Sequence, residues 1–272
     1  MATQANSLAN WRNLDLALGE DCLRIASYNV HRCVGRDRRC DVARVGQVIR
    51  ELGCDIVGLQ EVDSRSDGHH DSMQLDFLAA QTGMEAVAGH TIIRHEGSYG
   101  NALLTRRKVL AVRRHDLSYR RREPRGALEV DLDVAGETVR VIVTHLGLRP
   151  AERRYQVQQM LRLLHDIPPE QSVVVLGDIN EWLPMGRPLR WLNNLLGHAP
   201  AERSFPSGLP LFALDRVWVR PRHTLLAFET HRSPCSRIAS DHLPVKAIVA
   251  PAVPPASALV EHVPPQRQAR SA

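Results

Sequence analysis

The run Ser172–Asp178, SVVVLGD, constrains the fold more than any other stretch: Val173, Val174, Val175 and Leu176 follow one another without a polar break. A half-exposed strand alternates polar and apolar residues, so an unbroken β-branched run reads as a buried strand. Related runs occur in LRIASYN (Leu23–Asn29), CDIVGLQE (Cys54–Glu61), ETVRVIVTH (Glu137–His145) and DHLPVKAIVA (Asp241–Ala250). Helical spacing is found in DVARVGQVIREL (Asp41–Leu52), DSMQLDFLAAQTG (Asp71–Gly83) and AERRYQVQQMLRLLHDI (Ala151–Ile167), the last stopped by Pro168 and Pro169. This order implies a mixed sheet core with helices outside. The segments YGNALLTRRKVLAVRRHDL (Tyr99–Leu117) and GALEVDLDVAGETVRVIVTH (Gly126–His145) have no helix between their strand-like runs and are expected to form antiparallel neighbours, with DVAG as the turn in the second.

Length and composition bound the rest. With 272 residues and 43% apolar content the chain can bury one large core. Residues 21–250 are expected to form that domain, after an arm at 1–20 and before a proline- and alanine-rich disordered tail at 251–272. No run of eighteen apolar residues exists, and the opening segment lacks both a basic start and a continuous apolar stretch, so a soluble cytoplasmic protein is expected. Cys22, Cys33, Cys40, Cys54 and Cys235 are odd in number and widely spaced, which argues against a disulfide framework or a zinc site. The net charge of +5 is carried almost wholly by arginine, Lys108 and Lys246 being the only lysines. Arginine suits phosphate recognition, although a GC-rich genome alone produces such a composition.

The chemistry gathers where strands end. IASYNVH carries Asn29, IVGLQEV carries Glu61, VIVTHLG carries His145, VVLGDIN carries Asp178 and Asn180, and the loop IASDHLPV carries Asp241 and His242. Residues two apart on a strand share a face, so Asp178 and Asn180 are expected to project together. One polar residue at a strand end is ordinarily a cap or a turn former. Several coincident carboxylates, amides and histidines instead suit a metal-assisted phosphoester site.

Taken in order, SYNVH with Asn29, LQEVD with Glu61, YGNALLT with Asn101, THL with His145, GDIN with Asp178 and Asn180, LDRVWV with Asp215, and SDHLPV with Asp241 and His242 resemble the endonuclease/exonuclease/phosphatase (DNase I-like) superfamily, particularly its small stand-alone bacterial members. The resemblance implies an α/β four-layer sandwich, two mixed β-sheets face to face with helices on the outer faces, and a site at one edge. It also implies roles. Glu61, Asn29 and Asp241 would serve a Mg²⁺ or Mn²⁺ site, Asp178 would align the attacking water, and Asn180 and His145 would meet phosphate oxygens. His242, with Asp215 on its other nitrogen, would meet the phosphate as an imidazolium. Asn101 and Arg125 would contact substrate.

Other candidates have plainer readings. His69, His70 and Asp71 in SDGHHDS fit an exposed loop better than a metal cluster. Arg120, Arg121 and Arg122 form a basic patch before Arg125. The apolar set from Trp182 to Leu196 is expected mainly in the core, and exposure there would favour a lipid substrate. The expected activity is a metal-dependent phosphodiesterase of nuclease type, with a lipid headgroup or other small phosphoester as the alternative substrate. A non-catalytic binding protein is disfavoured, because every candidate chemical position is occupied. Aromatic poverty, 4% of residues, weighs against a base-stacking platform for nucleic acid.

Overall fold

A computed structural model describes residue 11 and residues 22–66, 71–95 and 97–250. The expected tail, the arm apart from Trp11, and the pair His69 and His70 lie outside the described residues. The chain runs β1 (Leu23–Asn29), α1 (Val42–Leu52), β2 (Ile56–Ser66), β3 (Asp71–Ser72), α2 (Gln74–Thr82), β4 (Glu85–Arg94), β5 (Gly97–Thr105), β6 (Val109–Asp116), β7 (Gly126–Val134) and β8 (Glu137–His145). It continues through α3 (Pro150–His165), β9 (Ser172–Asp178), α4 (Arg187–Leu196), β10 (Asp215–Arg220), β11 (Leu225–Thr230), the short α5 (Ser236–Ala239) and β12 (Val245–Val249).

These strands form two mixed sheets, one in the order β11-β12-β1-β2-β5-β4 with β3 attached to β2, the other β10-β9-β8-β7-β6. Each sheet holds one parallel pair, β1 with β2 and β8 with β9. Pleat alternation explains why the strands read as continuous apolar runs. In β9, Val174 and Leu176 enter the cluster between the sheets, where they join Ile25, Ile56, Leu103, Leu128 and Val143. Val173 and Val175 face the other way, into a layer with Val157 and Met160 of α3 and Leu189 and Leu192 of α4. Likewise Ile25 faces inward, while Ala26 and Tyr28 pack with Val45, Val48 and Ile49 of α1 and Leu78 of α2. The result is the expected α/β sandwich, helix layer, sheet, sheet, helix layer.

One expected pairing fails. The run Tyr99–Leu117 is no hairpin: β5 pairs with β2 and β4, and β6 pairs with β7 in the opposite sheet. Local sequence contains no signal for a sheet change, because both strands bury one face in the same inter-sheet core. The DVAG turn does join β7 to β8, with Val134 opposite Glu137 and positive φ at Ala135 and Gly136. Trp11, within the expected arm, is buried with Cys22, Ala227 and Ile248, and the Lys246 ammonium lies 3.9 Å from its ring centroid.

The register of the five-stranded sheet positions the site. His145 is the Cα partner of Asp178, and Asp178 is the partner of Asp215, so three neighbouring strands bring a functional residue to one rung. Gly177, one residue earlier, has φ +148, and a Cβ there would stand 1.8 Å from the Thr144 carbonyl oxygen. Backbone cannot yield as a flexible side chain does. Gly177→Ala is therefore expected to lower stability by about 3 kcal/mol, read from the shift in the denaturant midpoint.

Candidate active site

At the rim where these strands end, a cleft of about 250 Å³ is lined by Arg32, Glu61, Tyr99, Glu123, Arg125, His145, Asp178, Asn180, Asp241 and His242, with Leu148, Trp182, Phe205 and Leu214. Seven sequence-predicted residues thus share one opening. Asn29 and Asp215 stand just behind it. Asn101 lies apart from the lining, and its Nδ2 donates to the Gly126 carbonyl at 2.9 Å, bracing β5 against β7.

Asp178 is the centre. Its Oδ2 lies 3.5 Å from His145 Nε2 and 3.6 Å from His242 Nε2, and it accepts from Asn29 Nδ2 at 3.1 Å. Burial raises its pKa to about 6, the His242 charge opposing and the Asp215 charge adding. Asp178 Oδ1 accepts the Asn180 N–H at 2.9 Å, and Asn180 has φ +51. The strand therefore ends at Asp178, and an Asx-type turn, not pleat alternation, returns Asn180 to the site. There its Nδ2 donates to the Leu146 carbonyl at 2.9 Å and lies 3.0 Å from His145 Nε2.

The two histidines are held in opposite states. For His242, burial pulls the pKa down, but Asp215 and then Asp178 outweigh it and push the pKa up to about 10. The ring meets Asp215 Oδ2 at 2.9 Å through Nδ1, and Ser204 donates its hydroxyl to the same Asp215 oxygen. Phe205 covers the ring at a centroid distance of 4.7 Å. His145 has its pKa driven well below the ordinary value by burial, then by the Arg125 and His242 charges. Arg125 Nη1 sits 3.2 Å from His145 Nδ1. A guanidinium only donates, so Nδ1 accepts in that contact, while Nε2 lies between the Asn180 amide nitrogen at 3.0 Å and Asp178 Oδ2 at 3.5 Å.

Glu61 reaches the cleft through a bulge between Leu59 and Val62, where it takes φ +60. Asn29 Nδ2 donates to Glu61 Oε1 at 3.0 Å, while Asn29 Oδ1 accepts the His31 N–H at 3.0 Å. In this orientation Asn29 sets the Glu61 carboxylate instead of offering an oxygen. Asp241 stands 3.8 Å from His31 Nδ1. Among the described residues, Asp178, Asp215 and His242 bring ligand-type atoms within 4.8 Å of one another. With its imidazole protonated, His242 ion-pairs with both carboxylates of that trio.

Several contributors carried no sequence signal. Ser204 fixes Asp215 from a loop, and Arg32 lies over the Tyr99 ring at 5.1 Å. Burial, then the Glu61 charge, holds the Tyr99 hydroxyl above its ordinary pKa. Behind the cleft, buried Arg153 of α3 pairs with Glu181 at 3.2 Å and donates to the carbonyls of Gly147 at 3.3 Å and Leu148 at 2.7 Å. One side chain thereby ties the loop after His145 to the loop after Asn180. Trp191 packs against the layer beneath α4, as expected of the set from Trp182 to Leu196, and Tyr119 lies against Tyr155 at 5.3 Å.

A two-sheet α/β sandwich with histidines, carboxylates and an arginine converging at one rim defines a DNase I-like scaffold. A model of the endonuclease/exonuclease/phosphatase family matches residues 26–242, and the chain belongs to that family. It is 29% identical over 244 residues to YbhP of Escherichia coli (strain K12), covering 82% of this chain and 94% of that one. The endonuclease/exonuclease/phosphatase of Beutenbergia cavernae superposes with a TM-score of 0.68 at 22% identity, over 85% of this chain and 72% of that one. TDP2 of D. rerio, solved with a single-strand DNA product, superposes with a TM-score of 0.61 at 16% identity, over 84% and 99%. At those identities the two structures establish the fold.

Arg153→Met leaves Glu181 buried without its partner and is expected to cost roughly 3–5 kcal/mol. The double variant Arg153→Met/Glu181→Leu should recover most of that loss in denaturant unfolding.

Proposed function

We propose that the protein is a divalent-metal-dependent phosphodiesterase. The observation that carries this reading is the placing of Asp178 between a neutral and a charged histidine, 3.5 and 3.6 Å away. One buried carboxylate then has a proton acceptor's position beside a donor of positive charge. With a pKa of about 6, Asp178 is largely ionised at neutral pH and can align a water and accept its proton. His242, charged up to about pH 10, offers Nε2–H to the phosphoryl oxygen on which charge grows. Asn180, His145 and Arg125 supply further donors around the same position, and Asn101 supports Arg125 by holding the neighbouring Gly126.

Charge supports a metal. The cleft carries four carboxylates, Glu61, Glu123, Asp178 and Asp241, against three cations, Arg32, Arg125 and His242. Left so, it would repel a phosphodiester. The donors are carboxylate oxygens, which suit a hard cation such as Mg²⁺ or Mn²⁺, and Glu61 and Asp241 would hold it with Asn29 orienting Glu61. When bound, such an ion supplies charge neutralisation and a more acidic water. The nuclease-type reading is supported by exposed Arg120, Arg121 and Arg122, which lead into buried Arg125. A lipid headgroup is the second reading, supported by exposed Trp182, Leu183 and Met185 directly after Asn180. Among the described residues no helix is long and apolar enough to cross a membrane. All five cysteines are thiols, which supports a cytoplasmic location.

Turnover of a soluble diester, bis-para-nitrophenyl phosphate, should be abolished by chelator and restored by Mg²⁺ or Mn²⁺. In Asn29→Ala the metal concentration for half-maximal rate should rise by about 10–100-fold. Metal-independent turnover would overturn the assignment. The pH profile of kcat/KM should be bell-shaped, rising as Asp178 ionises near 6 and falling as His242 loses its proton near 10. Asp215→Asn removes the main charge that raises His242, so the alkaline limb should move to lower pH; an unchanged profile would remove His242 from the mechanism.

A further inference from the structure

Large apolar side chains are exposed along one rim of the cleft. Leu148, Leu183, Met185, Leu209 and Leu211 are exposed by between 53% (Leu211) and 76% (Met185). Isolated cases are ordinary, but these converge on one place. Leu148 and Trp182 line both the cleft and an adjoining groove of about 710 Å³ that also contains Leu183 and Met185. Trp182 stacks edge-on against Phe212 at 4.7 Å and Phe205 at 5.6 Å. Phe205 and Phe212 pair at the base of a six-residue loop that carries Leu209 and Leu211, and both rings lie against Trp182 at the start of the 182–186 loop. Two loops thus present aliphatic tips at the mouth, fixed from beneath by an aromatic stack.

Outside the cleft, the segments that carry these side chains are rich in arginine. Arg187, Arg190 and Arg203 are exposed between Trp182 and Phe212, where the only carboxylate, Glu202, accepts the Thr230 N–H at 2.9 Å. Exposed Arg237 reaches the Gly208 carbonyl at the turn tip, 3.5 Å away, and the Arg36 guanidinium lies against the same glycine. Trp182 and Phe212 are partly exposed but pack on each other, whereas the most exposed side chains of the rim are aliphatic and give bases nothing to stack on; nucleic-acid interfaces are also more polar than this one. Aliphatic side chains beside arginines match the boundary of an anionic bilayer, which offers both hydrocarbon and negative headgroups.

We infer that this rim docks the protein onto an anionic lipid surface, so that the phosphodiester presented to Asp178 is a lipid headgroup. The headgroup assignment rests on the phosphodiesterase reading; the docking itself does not. Leucine and methionine tips enter the acyl boundary while the flanking arginines meet headgroup phosphates. The cleft, opening beside them, then faces the surface.

The test uses the full chain and vesicles of phosphatidylcholine alone or mixed equally with phosphatidylglycerol. Wild type should sediment with the mixed vesicles and less with the neutral ones. Leu183→Ser/Met185→Ser and Leu209→Ser/Leu211→Ser should each weaken that partition roughly tenfold or more. Arg187→Glu/Arg190→Glu should weaken binding to mixed vesicles only. Melting by circular dichroism and bis-para-nitrophenyl phosphate turnover should match wild type in all three. Wild type left in the supernatant, or variants that partition equally, would overturn the inference. So would variants that lose DNA binding or self-association while still sedimenting with vesicles. Variant-sensitive vesicle binding by a protein that turns over no diester would uphold the docking surface and sink the catalytic reading.

Discussion

A single imidazolium, His242, lies between the buried carboxylates Asp178 and Asp215, and the site depends on that arrangement. Two carboxylates so close and so deeply buried repel each other and lose hydration, a cost that grows as the dielectric falls. His242 offsets it at 2.9 Å from Asp215 and 3.6 Å from Asp178. Asp215 is spent in holding the charged ring, with Ser204 fixing its oxygen, while Asp178 keeps a face open to the cleft. The same placement separates the roles of the histidines. His145, beside Arg125 and lacking a close carboxylate comparable with Asp215, stays neutral.

This geometry follows from strand register. His145, Asp178 and Asp215 are successive partners on β8, β9 and β10, so a slip of one residue in any of these strands would send its functional side chain to the other face. The valine run of β9, apolar on both faces, would not itself oppose a slip; Gly177 does, because any side chain brought to its place would meet the Thr144 carbonyl oxygen. The opposite sheet contributes Asn29 at the end of β1 and Glu61 from a bulge in β2. The convergence of the candidate residues is thus a property of two sheets ending at one edge.

Much of this was legible because strands buried on both faces write themselves as apolar runs, and polar residues at their ends stand out. The bounds of β1 and β8 coincide with the runs LRIASYN and ETVRVIVTH. What could not be read depends on long-range packing. The β5 to β6 sheet change has no local mark, since either partner buries the same side chains. Asn180 was placed by alternation and is held by a turn. For Asn101 the resemblance implies a substrate contact, whereas its amide donates to Gly126, a partner 25 positions away. Arg153 and Glu181 look like ordinary surface charges in sequence and become a buried pair only when α3 meets the loop after β9. The apolar set after Asn180 divides: Leu189, Leu192 and Leu196 enter the core, whereas Leu183 and Met185 remain outside. Helical spacing distinguishes the first group, and the loop residues lack it.

Chemical site and apolar rim meet at Trp182, which lines the cleft and carries the aromatic stack under the exposed loops. The scaffold can therefore hold its chemistry constant while loops select the phosphoester, in keeping with function residing in sites grafted on a fold. The charge state of the two histidines is the most direct test of the account. In a nitrogen-resolved NMR titration of the full chain, His242 should remain doubly protonated through neutral pH and titrate near 10, while His145 stays neutral. A His242 ring already neutral at pH 7, or a His145 ring charged there, would contradict it.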